Sequence, residues 1–383
     1  MQKLCDIVVA CDSFKGSLTA LQACKAVARG VTETLGPDCN VTLCPMADGG
    51  EGTAATLVDA FGGRMVSVPA SDPLGNPVTG HYGVLPSGTA VVELAEVSGL
   101  TCLNASERNP LHTSTFGTGS VIRQAIEAGC RRIVLCIGGS ATNDAAMGLL
   151  SQLGFRFLNA QGCEVAPVGA ALAEVRSIDT DDTRRIIRDV EFEVACDVTN
   201  PFLGPNGAVA VYSAQKGASA ADKHELERGM ENMRRVVMNQ FGGDVQTIEG
   251  GGAAGGVGAM MAVLAHAVLR PGASIVADAV GLDRAMRSAR LVITGEGRLD
   301  SQTLCGKVPA EVLKRAVAAG VPAVAIGGLV DNHEMFRAAG FKDVVQAMPA
   351  GQSPELAMME PVAMANVTRA VSEFLKHFRS KSS

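Results

Sequence analysis

Apolar residues along this chain gather in short runs that enter glycine-rich polar turns, and the turns lead into stretches of helical spacing. In CDIVVACDSFKGSLTALQACKAVARGV, Ile7–Ala10 predict a strand, and Leu21, Cys24, Ala28 and Val31 then recur near the helical period. The same grammar returns in VTLCPMADGGEGTAATLVDAFGG, where Leu57, Val58 and Phe61 can cover a sheet. Two such repeats imply parallel strands joined by right-handed crossovers. From Val66 to Leu100 the texture changes to short β-rich pieces broken by the turn sequences DPLGNP and LPSG. The strand–helix grammar resumes in GSVIRQAIEAGCRRIVLCIGGSATNDAAMGLLSQLG, and FEVACDVT predicts a further strand before NPFLGPNG. A polar helix follows around Asp222–Asn239, then the apolar stretch 250–269. After Arg290 the opening pattern is restored: LVITG as strand, VPAEVLKRAVAAG as helix, VPAVAIGG as strand, and a last helix over 361–378.

The expected fold is therefore α/β with two domains. One is a Rossmann-like parallel-sheet domain made from both chain ends, 1–66 and 288–383; the other is an inserted mixed α/β domain over 67–287. Residues 113–155 fit either domain. The stretch 250–269 has no Asp, Glu, Lys or Arg, which is long enough for a membrane span. Its first half is mostly glycine and alanine, however, and it reads better as a buried helix with a glycine-rich entrance.

Composition narrows the function classes. The 383 residues are 47% hydrophobic and 19% charged, with a formal net charge of −6, which fits a folded globular protein. No Lys/Arg-rich run suggests a nucleic-acid groove, and aromatic residues at 4% leave few stacking platforms. Eleven cysteines form no C-x-x-C pair, and several, such as Cys136 and Cys196, sit in apolar runs. The odd count and the missing secretory segment fit a reducing cytoplasm. Six scattered histidines without H-E-x-x-H offer no dedicated zinc site. Nothing in the pattern selects an assembly larger than a monomer or homodimer.

The candidate chemistry lies where strands end, because parallel sheets collect ligands beyond their carboxyl edges. A phosphate loop of the form G-x-x-x-x-G-K-[ST] is absent: Gly297 to Gly306-Lys307 is too long, and Val308 stands where the hydroxyl belongs. No G-x-G-x-x-G follows the first strand. Instead CDSFKGS, MADGGEG, GGSATND, CDVTNP and TGEGRLD each set a carboxylate beside glycine or a turn residue. Exposed backbone N–H groups in such turns can cradle anionic oxygens. Carboxylates make sense beside phosphate when they hold Mg²⁺ or accept a proton from the substrate, with Lys15 and Lys307 supplying direct positive charge. That combination points to phosphoryl transfer.

On this reading Gly138, Gly139, Ser140, Gly295, Gly297 and Lys307 face the nucleotide, and Glu296, Asp300 and Asp144 lie nearer magnesium. Asp12, Ser13, Lys15, Asn143 and Asn200 face the small substrate. Asp197 follows an apolar strand and precedes the stiff Thr199-Asn200-Pro201 turn, so it is the favoured proton acceptor, with Asp48 as runner-up and Lys15 beside them.

The same segments carry a resemblance. DSFKGS (12–17), ADGGEG (47–52), GGSATND (138–144), CDVTNPFLGPNGA (196–208), QKGA (215–218), GAAGGVGA (252–259) and TGEGRLDSQTLCGK (294–307) closely resemble the bacterial class I glycerate kinase family. Any one glycine motif is weak; their joint order is specific and runs from the first strand to the final helix. The resemblance implies an ATP-dependent kinase that converts D-glycerate to 2-phosphoglycerate, with two α/β domains around an interdomain active-site cleft. It also implies a place in glyoxylate, glucarate or galactarate breakdown, with Mg²⁺ accompanying ATP. The motif positions it carries onto this chain are Asp12, Lys15, Asp48, Glu51, Asn143, Asp144, Asp197, Asn200, Glu296, Asp300 and Lys307. The alternatives are a kinase of another short hydroxy or sugar acid, a 3-phosphoglycerate-forming enzyme, and a non-catalytic metabolite sensor.

Overall fold

In the computed structural model, which describes residues 6–381, thirteen strands follow one another along the chain. They are β1 (Asp6–Cys11), β2 (Asn40–Leu43), β3 (Arg64–Ser71), β4 (Pro77–Val84), β5 (Thr89–Glu93), β6 (Arg132–Cys136), β7 (Arg156–Leu158), β8 (Ser177–Asp179), β9 (Glu191–Ala195), β10 (Val268–Arg270), β11 (Leu291–Leu299), β12 (Ala323–Val330) and β13 (Asp343–Gln346). The chain packs as two compact units: residues 1–48, 59–61 and 273–383 form the first, and 49–58 with 62–272 form the second.

The first unit is built on a five-stranded sheet in the order β13-β12-β11-β1-β2, parallel throughout. Counted within the unit, that order is 2-1-3-4-5, with the reversal of winding between β1 and β11. Ligands of such sheets bind outside the carboxyl ends of the strands at that switch point. The core joins Ile7, Val9 and Cys11 of β1 to Ala23, Val27 and Val31 of the helix Ala20–Leu35, and to Val367, Val371 and Leu375 of the last helix, Glu360–Lys381. Thr19 starts the first of these helices with a capping box closed by Gln22.

The second unit holds a six-stranded sheet in the order β10-β9-β6-β5-β4-β3, with β7 and β8 paired apart from it. Strands β10, β9, β6 and β5 run parallel, whereas β5-β4-β3 is an antiparallel extension. The DPLGNP turn closes the β3–β4 hairpin because Asp72 Oδ1 accepts the N–H groups of Leu74 and Asn76, at 2.8 and 2.9 Å. This unit has its own core, which includes Tyr82, Ile122, Ile133, Leu135, Met147, Leu149, Phe202, Met230 and Met260.

Three sequence expectations need correction. The passages between units fall at Asp48–Gly49 and Gly272–Ala273 instead of near 66 and 288. Most of the helix Thr53–Phe61 belongs to the second unit, where Val58 and Ala54 pack against Gly83 of β4 instead of covering the parallel sheet. Residues 273–287 join the first unit because Arg315 ties them down: its guanidinium donates to Ser274 O at 3.1 Å and pairs with Asp278 and Asp283 at 2.7 and 3.0 Å. The segment 113–155 lies wholly in the second unit.

The stretch 250–269 forms a helix over Ala253–Leu264 and then strand β10. Its entrance is not helical: Ala254, Gly255 and Gly256 have φ of 51°, 67° and 97°. No helix among the described residues is long and apolar enough to cross a membrane.

The GEGRL sequence is the third correction. It reads as a glycine turn, yet β11 continues through it to Leu299. Gly295 is there for close approach, since a Cβ would stand 2.1 Å from Ile326 O of the neighbouring strand. The polar turn comes later, over 300–307, ending at Gly306 with φ 101°.

Candidate functional site

In the first unit, β1 and β11 deliver their polar residues to the switch point. Asp12 follows β1 and is 4% exposed; its N–H donates to Gly295 O at 2.8 Å, and its Oδ1 accepts from Ser13 N at 2.6 Å. Burial pushes its carboxyl up to about 7, helped by the nearby charges of Asp48 and Glu296 against the pull of Ser13 N–H and Lys15. Lys15 Nζ stands 3.8 Å from Asp48. Glu296, in the continuously buried first part of β11, is 8% exposed and lies 3.9 Å from Lys307 Nζ. Burial raises its pKa too, with Asp300 and Asp48 adding to the rise and Thr303 and Lys307 opposing it. Its Oε1 is buried without a hydrogen-bond partner.

Of these, Lys15, Glu296 and Lys307 line a cavity of about 320 Å³ whose lining belongs entirely to the first unit. Ser13, Lys15, Glu296, Asp300 and Lys307 form its polar side, while Phe14, Leu329, Met348, Met358 and Val367 give it an apolar wall. Sequence separations near 280 residues are closed here by the β1–β11 pairing, in which Ala10 aligns with Thr294 and Cys11 with Gly295. The carboxylates of Glu296 and Asp300, two lysines and an apolar socket are the parts that binding and transferring a phosphoryl group requires. Asp300 also holds the 300–307 turn, its Oδ1 accepting from Gln302 N and Thr303 N at 2.8 and 3.2 Å. Gly295 is walled in by Ile326, which leaves no surface for the ligand contact expected of it, and Gly297 packs over the backbone of Phe14 and Lys15.

The other expected residues lie in the second unit, beyond the carboxyl ends of β6 and β9. Gly138 and Gly139 are exposed, with Gly139 at φ 72°, whereas Ser140 is buried. Asn143 and Asp144 are fully buried. Asp144 Oδ2 accepts Thr115 N and Thr115 Oγ1, both at 2.8 Å, and Gly148 N at 3.1 Å. That sealed position fits a residue that shapes the loop and does not fit the magnesium ligand anticipated from sequence. Both amide atoms of Asn143 are buried without partners. Asn200 is engaged by the protein: Tyr212 OH donates to its Oδ1 at 2.6 Å, and its Nδ2 donates to Asn206 O at 2.9 Å. Asp197 is exposed, and its Oδ1 accepts Gly272 N at 2.9 Å.

Two residues escaped the sequence reading. Glu93, at the end of β5, accepts Gly52 N at 2.9 Å and Ala54 N at 2.7 Å and so places a carboxylate at the start of the helix Thr53–Phe61. Lys216, inside the QKGA segment, is 2% exposed and donates to Ser140 Oγ at 2.8 Å and Thr142 O at 2.6 Å. Burial drives its ammonium down to about 7, with Asp144 pulling the other way. A lysine in a polar turn looks solvated; only its place between the apolar AVAVY helix and a glycine hints otherwise.

A parallel sheet with acidic and basic side chains gathered at its switch point, beside a largely apolar cavity with a charged side, defines a small-molecule phosphotransferase. Residues 7–379 match the glycerate kinase family. The chain is 43% identical over 327 residues to a glycerate kinase of Bacillus subtilis, covering 85% of each. It is 40% identical over 323 residues to the glycerate 2-kinase of Escherichia coli, covering 84% of each. A crystal structure from Salmonella typhimurium LT2, described as glycerate kinase 2, superposes with a TM-score of 0.89 at 38% identity, covering 98% of this chain and 99% of that one. The chain belongs to the glycerate kinase family and is an ATP-dependent kinase.

Proposed function

We propose that this enzyme is a glycerate 2-kinase, moving the γ-phosphoryl group of ATP to the C2 hydroxyl of D-glycerate to give 2-phosphoglycerate and ADP. The observation that carries the reading is the charged side of the first unit's cavity, where Glu296 and Asp300 lie among Lys15 and Lys307, with Asp48 3.8 Å from Lys15. The name of the Escherichia coli relative favours the 2-isomer as product. The apolar wall of Phe14, Leu329, Met348 and Met358 suits a purine ring, and Lys15 and Lys307 suit its phosphates.

Magnesium suits the same rim. Its sites use one or two carboxylates with phosphate oxygens and water instead of an all-protein cage, and the described residues contain no cluster of three or more acidic, histidine or cysteine ligands. The unpartnered Oε1 of Glu296, in a site where burial and neighbouring carboxylates raise the carboxyl pKa values, is a fitting acceptor for a cation. Glu296 with Asp48 would hold the ion, and the ion would offset charge on the β- and γ-phosphates. Asp197 is the proposed proton acceptor: it is an exposed carboxylate just beyond β9, oriented by the backbone N–H of Gly272.

The test is ADP release coupled to product resolution by phosphorus NMR, with D-glycerate, erythronate and tartronate offered in turn. Magnesium-dependent turnover of glycerate to the 2-isomer is expected. Preferred turnover of a longer acid, or the 3-isomer as product, would move the assignment, and folded protein inert with all three would end it.

A further inference from the structure

The second unit contains a buried lysine that the proposed chemistry does not use. Lys216 ends the short turn Ala214–Lys216, and Gly217 follows at φ 93°, so close to Arg108 that a Cβ there would stand 2.0 Å from Arg108 O. The backbone that carries the lysine is therefore pinned. Its ammonium reaches across to the Gly138–Asp144 loop, bonding Ser140 Oγ and Thr142 O, and among the described residues no carboxylate is in ion-pair contact with it. An ammonium removed from water without a paired carboxylate is costly, so a packing role alone would be served better by an apolar side chain.

The loop it grips is constrained on its other sides. Leu100 N donates to Gly139 O and Ala141 N donates to Ser98 O, both at 2.9 Å. Behind it, Ala145 and Ala146 are left-handed at φ 48° and 57°, and Ala145 N donates to Gly255 O at 3.1 Å. Gly255 lies so near that a Cβ would stand 2.4 Å from Thr142 O. A strained segment keeps its shape only when its surroundings over-determine it, and Lys216 adds two side-chain hydrogen bonds to the hold that Thr113 Oγ1 gives on Ala141 O at 3.0 Å.

We propose that Lys216 is a positioning residue of the kinase reaction, holding the Gly138–Asn143 loop in its working shape through Ser140 and Thr142. This rests on the glycerate kinase reading for its consequence in turnover, though not for the hold on the loop. Burial that lowers the ammonium's pKa agrees with a strut kept away from water.

Lys216→Met in the full chain keeps the volume and removes the donors. The variant is expected to melt near the wild-type temperature, to exchange the amides of 138–143 faster, and to lose about 10²-fold in kcat while nucleotide affinity holds. Lys216→Ala should regain part of its turnover with added ethylammonium. A folded Lys216→Met with wild-type kcat and exchange overturns the proposal, as does a loss of kcat that ethylammonium leaves untouched in Lys216→Ala. Should both lysine variants fail to fold, Ser140→Ala replaces them: faster exchange with lower kcat supports the strut, and wild-type values overturn it. Wild-type protein without glycerate-dependent ADP release would instead remove the kinase reading, and the exchange comparison would still decide whether Lys216 holds the loop.

Discussion

Ionising Asp12 places a third negative charge near Asp48 and Glu296 in a site where it is only 4% exposed. Its folded pKa of about 7 lies above the ordinary carboxylate value, so the native state binds this proton more tightly than the unfolded chain does. The resulting stabilisation is complete below about pH 4 and disappears as pH rises through about 7. Asp12→Asn should therefore raise the unfolding free energy at pH 8 by on the order of a few kcal/mol, and change it little near pH 4, while turnover falls; equal changes at both pH values would contradict this account. Asp197 differs because a backbone N–H already fixes one oxygen, and the Oδ1 of an asparagine could accept that bond equally well. Asp197→Asn is expected to cut turnover roughly 10²–10⁴-fold with nucleotide affinity retained, and near-normal turnover would exclude it as the proton acceptor. The gathering of Asp12, Glu296 and Lys307 in one neighbourhood was legible, because unlike charges in polar turns around strand ends have few structural uses. The surroundings of Asn200 and Asp144 were illegible, where burial and hydrogen-bond partners come from Tyr212 and Thr115, distant in sequence.

At the scale of elements, periodicity found β1, the helix Ala20–Leu35, β9, the helix Val308–Ala319, β12 and the last helix, each an apolar run or helical stripe with recognisable ends. It failed at GEGRL because glycine serves a turn and a close strand contact equally well, and only the neighbour Ile326 distinguishes them. The passages between units were misplaced for a related reason. They depend on what the helices Thr53–Phe61 and Gly272–Ala279 pack against, which composition does not encode. Arg315 makes this testable. Its side chain is 11% exposed and bonds Glu311, Asp278, Asp283 and Ser274, joining three helices of the first unit. Arg315→Met leaves the buried Glu311 without its 2.7 Å partner, so a loss of about 3 kcal/mol is expected. Chemical denaturation would measure it, and exchange should quicken first in 273–287; a variant as stable as wild type would show that the network is dispensable.

Over the whole molecule, each unit has a separate apolar core, one around β1, β11 and the last helix, the other around β5, β6 and β9. Gly49 and Gly272, the residues where the second unit begins and ends, lie side by side, since a Cβ on Gly49 would stand 2.8 Å from Gly272 Cα. A segment whose ends meet can be inserted into another unit without stretching its sheet, which explains how 1–48 and 273–383 build one parallel layer. The cavity proposed for the nucleotide belongs to that layer alone. A ligand stabilises what it binds by RT ln(1 + [L]/Kd), about 2.7 kcal/mol at a hundredfold excess over Kd. Saturating ATP analogue without glycerate should accordingly slow amide exchange in β1, β11, the 300–307 turn and 347–367. It should leave β3, β4 and the helix Ala220–Phe241 of the second unit nearly unchanged. Protection confined to the 138–144 loop would move the nucleotide to the second unit and restore the contacts expected there of Gly138, Gly139 and Ser140. Protection in neither region would remove the cavity of the first unit as the nucleotide site.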